Sequence, residues 1–244
     1  MIFRLFDYLL LALPGFAIAT WAQWRLSRAY SAGSRVPTAS GGTGALVASA
    51  ILRANGLSAV AIETATGELS DYYDSSRKVL RLSHRVHDGC SLAARGVSAH
   101  EAGHALQDAS KYPWLIVRNL VVPLVATGSQ VFGLLILAGM LLDIDRLILA
   151  GIVLYSTLLF IQLVNLPIEF DASRRGRLAL ATMKMIESED EPVVVEVLNA
   201  AAWRYVALTL TGVVEPIAAF RNRRLSNTSE EQGRPESGRP LDQD

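Results

Sequence analysis

Residues 100–104 read His-Glu-Ala-Gly-His. On an α-helix, positions i and i+4 share a face, so His100 and His104 can direct two imidazoles at one metal ion. Glu101, next to the first imidazole, would accept a proton from water whose pKa the metal brings down toward about 7, and would return it to a leaving amine. The chemistry this spacing predicts is hydrolysis at a single Zn2+ ion. His100 and His104 are its ligands and Glu101 is its general base and acid. Nitrogen and carboxylate donors suit zinc best among the divalent metals.

A catalytic zinc needs a third protein ligand and one open position. No histidine follows His104, so the third ligand is expected to be a carboxylate. Glu169, in Leu-Pro-Ile-Glu-Phe-Asp at 166–171, is the first candidate. Asp171 is the second, either as ligand or as an acid that orients an imidazole. Arg204 and Tyr205 are candidates to stabilise an oxyanion, as are Tyr72 and Tyr73. Lys78, Val79, Leu80, Arg81 and Leu82 read as a strand whose exposed edge would pair with an extended peptide substrate. His84 and His87 stand at i, i+3, but a solvated helix start accounts for them better than a second metal. Cys90 reads as a small packed residue.

The elements that must position these groups follow from the apolar pattern. Apolar residues make up 51% of the 244, concentrated in long runs. Leu5 to Ala22 reads as a retained N-terminal anchor, with a cleaved signal peptide as the alternative. Leu120 to Leu142 and Leu147 to Ile168 carry no charge, and each is long enough to cross a hydrocarbon core of about 30 Å. Only Asp143 to Arg146 separates them, so they predict a tight helical hairpin. Crossing twice returns the chain to the side it left, which lets Glu169 meet His100 and His104. Between the anchor and the hairpin, a helix is expected over Gly44 to Asn55 and strands over Ala59 to Thr64 and Lys78 to Leu82. Ser83 is placed to cap a helix running from His84 to Ala109. Gly89, Gly96 and Gly103 recur every seven residues and would let one other helix approach closely. A polar helical stretch is expected over Glu169 to Ser188 and a further helix over Val193 to Phe220.

The fold class expected is therefore mainly α with a small β-hairpin or sheet. Its organisation is a membrane anchor over 1–31, a metal-binding region over 32–112 and a transmembrane hairpin over 113–168. A helical part with the third ligand follows over 169–220, then a disordered tail over 221–244. With 23 basic and 23 acidic residues the net charge is zero, which excludes a chain-wide basic field for nucleic acid. A single cysteine excludes an intrachain disulfide. Arg25, Arg28, Arg35, Lys111, Arg118, Arg174, Arg175, Arg177 and Lys184 lie on the catalytic side of the spans, against Arg4 and Arg146 on the other. The positive-inside rule thus places the catalytic part in the cytoplasm.

The chain resembles the bacterial membrane-bound neutral zinc metallopeptidases, within the Glu-ligand zincin class. The resemblance rests on Gly42–Ala45, Gly67–Asp74, Lys78–Ser83, Val97–Gln107, Leu166–Arg175 and Ala201–Ala207. It implies a zincin-like α+β catalytic domain in the bacterial inner membrane, with zinc ligands His100, His104 and Glu169 and Glu101 as base. Tyr72 stands where the family usually has histidine. Ser173 stands where related zincins often carry an aspartate, so Asp171, Asp108 or another acid is expected to support the ligands. The function expected is a membrane-anchored zinc endopeptidase acting on peptides or membrane proteins beside the bilayer. The alternatives are an inactive zinc-binding scaffold or chaperone, and a zinc hydrolase of non-peptide bonds.

Overall fold

The computed structural model describes residues 2–38, 41–67, 70–128, 131–203, 206, 207 and 209. It is mostly helical with one three-stranded sheet. The elements in chain order are α1 (Ile2–Ser34), α2 (Gly44–Ala54), β1 (Ala61–Ala65), β2 (Tyr72–Asp74) and β3 (Val79–Ser83). They continue as α3 (His84–His87), α4 (Leu92–Ala109), α5 (Pro113–Gly128), α6 (Val131–Leu142) and α7 (Asp145–Thr182). A last helix, α8, covers 191–203. Arg204, Tyr205 and the tail over 221–244 lie outside the described residues, as does most of the expected continuation to Phe220.

Helix α2 starts and stops where its sequence dictates. The Thr43 hydroxyl accepts from the Leu46 N–H at 3.3 Å, filling one of the donors a helix start leaves unpaired. Gly56 follows the C-terminus with φ +73°, a left-handed conformation that glycine adopts without strain. Val47, Ala48, Ile51 and Leu52 form its buried face and pack toward α4.

The sheet corrects one expectation. β3 lies in the middle of the order β1-β3-β2, parallel to β1 and antiparallel to β2. Lys78 to Leu82 therefore offers no open edge to a substrate. The short strand Tyr72–Asp74, which the alternation of apolar residues does not reveal, pairs with Val79 to Arg81. Beyond it, the Asp71 carboxylate accepts from the Ser83 N–H at 2.8 Å.

The single helix expected over His84 to Ala109 is in fact two. α3 ends at His87, and Asp88 to Ser91 form a connection. Within it the Cys90 carbonyl accepts from both the N–H and the hydroxyl of Thr38. Ser83 makes no cap, because its hydroxyl donates to Asp71. Ser91 caps α4 instead, accepting from the Ala94 N–H at 3.2 Å. Gly89 thus falls outside α4. Gly96 and Gly103 serve two different partners, Val194 of α8 and Ala172 of α7.

α7 carries the apolar run and the polar segment after it as one helix of 38 residues, with Pro167 inside. At 1.5 Å per residue it is about 57 Å long. Among the described residues it alone is long and apolar enough to cross a membrane. The second expected span is divided between α5 and α6, with 129 and 130 outside the described residues. α6 packs along α7 as the hairpin predicts. Gly139 and Gly151 allow this close approach: a Cβ on Gly139 would stand 2.6 Å from the Ile148 side chain. Towards its C-terminal end α1 joins the main core, where Leu26, Ala29 and Tyr30 pack with Leu92 and Ala93.

Candidate metal centre

α4 is buried almost all round. Its polar side chains must therefore find partners within the protein, since an unpaired buried polar group costs several kcal/mol. His100 and Gln107 find theirs on α7, and His104 finds its own within α4. The His100 Nδ1–H donates to the Ser173 hydroxyl at 3.1 Å. The His104 Nδ1–H donates to the Gln107 Oε1 at 3.0 Å. Both assignments leave Nε2 as the lone-pair nitrogen. The Gln107 amide orientation follows from its other bonds. Its Nε2 donates to the Ile168 carbonyl at 2.7 Å and to the Asp171 carboxylate at 3.0 Å, so Oε1 must face His104.

The two Nε2 atoms converge on one carboxylate. Glu169 Oε2 lies 3.2 Å from His100 Nε2 and 3.7 Å from His104 Nε2. All three ligand atoms fall within 4.8 Å of one another, and all three residues are buried. Zinc bonds of about 2.0–2.1 Å set tetrahedral ligands about 3.3 Å apart, close to the 3.2 and 3.7 Å between Glu169 and the two imidazoles. Two imidazoles and one carboxylate are a donor set zinc favours. The residues present therefore fit one zinc ion with a fourth position open.

Glu101 is 7% exposed and lines the same cleft as the three ligands. Burial pushes its carboxyl above the ordinary value, against the pull of His100 and His104. Burial alone would lower His104, but the hydrogen bond and charge of Glu169 outweigh it and raise its pKa.

Residues 8–220 match a protein family described as "Putative neutral zinc metallopeptidase". The chain belongs to this family. A relative, "Putative membrane protease YugP" of Bacillus subtilis (strain 168), is 40% identical over 223 residues, covering 90% of this chain and 99% of the relative. No solved structure matches the chain.

The fold brings together His100, Glu101, His104 and Glu169, with Tyr72 and Tyr73 lining the same cleft, and it turns other expected residues elsewhere. Asp171 is no ligand: it accepts from Arg174 at 2.7 Å and Arg175 at 2.6 Å and holds Gln107 from behind. Asp108 faces the sheet, where it accepts from the Tyr73 hydroxyl at 2.8 Å and pairs with Lys78. That contact engages the Tyr73 hydroxyl, and burial together with Asp108 raises its pKa. The Tyr72 hydroxyl accepts from Arg81 at 2.7 Å. His84 and His87 both point at Asp88, at 3.6 and 2.6 Å.

Sequence reasoning gave Gln107 no role, although three residues after His104 it shares that ligand's helix face. It also marked Ser173 only as a missing acid, whereas its hydroxyl itself supports His100. Arg118 escaped notice as a cleft residue. It lines the cavity and makes no hydrogen bond or ion pair with a described residue. No local signal distinguishes it, because α5 reaches the site only by packing on α7.

Proposed function

We propose that this chain is a zinc endopeptidase embedded in the bacterial inner membrane, with His100, His104 and Glu169 holding one ion and Glu101 serving as general base. The observation that carries this reading is the convergence of His100 Nε2, His104 Nε2 and Glu169 Oε2 beside a buried Glu101. Bound zinc would supply Lewis acidity, acidifying water and polarising the scissile carbonyl. The Glu101 carboxylate takes the proton of the attacking water and delivers it to the amine nitrogen as the peptide C–N bond breaks. Ser173 and Gln107 hold both imidazoles in the tautomer that presents Nε2. Burial excludes bulk water and strengthens each of these contacts. The excess of Lys and Arg beside the cleft supports a catalytic side that faces the cytoplasm.

The test is metal analysis of purified protein combined with cleavage of a casein-type substrate, with and without chelator. Glu101→Gln should keep its zinc and lose activity by about 10²–10⁴-fold. Equal activity in the variant removes the mechanism. Zinc without any cleavage by the unmutated protein turns the assignment toward a scaffold or a non-peptide hydrolase.

A further inference from the structure

The chain has four tryptophans, and all of them are exposed: Trp21 at 47%, Trp24 at 55%, Trp114 at 46% and Trp203 at 40%. Exposed indole is costly in water and favourable at the boundary between lipid headgroups and acyl chains, where its ring is buried and its N–H stays wet. The four come from three separate helices, α1, α5 and α8. Trp21 and Trp203 nevertheless meet edge to face, with centroids 6.4 Å apart. The guanidinium of Arg25 lies over Trp21 at 5.6 Å and that of Arg28 over Trp24 at 5.3 Å. This pairing of ring and cation suits a layer of anionic headgroups.

The surfaces of α1 and α7 change character along their length. On α1 the exposed Leu13 and Phe16 precede the tryptophans, and the arginines follow. On α7 the exposed Leu149, Val153, Phe160 and Leu163 give way after Ile168 to Arg174, Arg175 and Arg177. The metal cleft adjoins these transitions. Leu26, Leu115 and Ala201 line it, and each lies within two residues of a tryptophan on its own helix. Two residues of helix rise are about 3 Å. Glu169 lines it as well, immediately after the apolar run.

We infer that the cleft opens at the membrane–water boundary and that its substrate is the extended flank of a membrane-spanning protein, next to its span. This rests on the peptidase reading and narrows it. A carbonyl inside a spanning helix is tied to its own backbone, whereas the flank just outside is free to extend. A spanning substrate delivers that flank at the depth of the cleft, and confinement raises its effective concentration there. A soluble peptide must enter the headgroup layer first.

The test uses the full chain in vesicles of phosphatidylethanolamine and phosphatidylglycerol. One cleavable sequence is supplied as a free peptide, fused directly to a model span, and fused through a lengthening Gly/Ser linker. Cleavage of the direct fusion should exceed that of the free peptide by at least about tenfold at equal concentration, and should fall as the linker grows. Equal rates for the three, or faster cutting at the longest linker, overturn the inference while leaving the peptidase intact. No cutting of any form by zinc-loaded protein removes the peptidase reading and this inference with it. A readout independent of activity is tryptophan quenching by brominated lipids. Quenching should be strongest for bromine near the headgroups. Quenching greatest at the bilayer centre, or absent, overturns the placement.

Discussion

Gly176 of α7 lies against the backbone of Ala99 of α4, so close that a Cβ there would stand 2.6 Å from the Ala99 carbonyl oxygen. Gly103 makes the reciprocal contact with the Ala172 backbone. Gly176 and Glu169 are two helical turns apart on one face of α7. The glycine crossing therefore sets how near the carboxylate comes to the imidazoles of α4.

Gly176→Ala tests this. In an open helix the change would stabilise by roughly 1 kcal/mol. Here the added methyl must push the helices apart, at a cost of about 1–3 kcal/mol. A lower Tm and weaker zinc binding in competition with a chelator are expected together. A variant as stable as the parent, with the same zinc affinity, would show that the crossing does not govern the site.

Gln107→Ala leaves His104 without the acceptor that fixes its tautomer, and Ser173→Ala does the same for His100. Loss of such a supporting contact lowers metal affinity by about 10–100-fold. The expected result is weaker zinc binding in both variants, with Glu101 untouched. Unaltered affinities would mean that the ligands are oriented by packing alone.

Chelation should destabilise the protein, because the cluster of His100, His104 and Glu169 then lacks the cation that balances its buried carboxylate. Restoring zinc to 100 times its Kd should stabilise the folded state by about 2.7 kcal/mol, read as a rise in Tm in detergent. A Tm indifferent to chelator and to added zinc argues against a metal at these residues.

Asp171 lies on the polar side of α7, past the apolar run, and predicts an acid limb of stability. Burial raises its pKa, but hydrogen bonds from Arg174, Gln107 and Arg175 outweigh this and hold it below the ordinary 3.8. A depressed folded-state pKa means stability that is present above the ordinary value and lost as pH falls through the folded one. Asp171→Asn should be less stable than the parent near neutrality, and the gap should close as the solution is acidified below about pH 4. A gap that stays constant with pH would remove this account.

Periodicity and spacing alone were enough for several features. The i, i+4 histidines share a face because an α-helix turns every 3.6 residues. The helix expected over Gly44 to Asn55, the pairing of α6 with α7, and Glu169 as the acid that meets the imidazoles follow from caps, apolar run lengths and order along the chain. These are local facts, or counts along the chain. What lay beyond the sequence depends on contacts between distant segments. β3 became a central strand because three residues at 72–74 pair with it, too short a run to show alternation. Ser83 turned from a cap to a partner of Asp71, twelve residues away. Gln107 and Ser173 acquired their roles only when α4 and α7 crossed at Gly103 and Gly176. The helix pattern determined which side chains could face a metal; the closeness of two backbones decided which of them meet, since that distance is fixed by side chains that are absent.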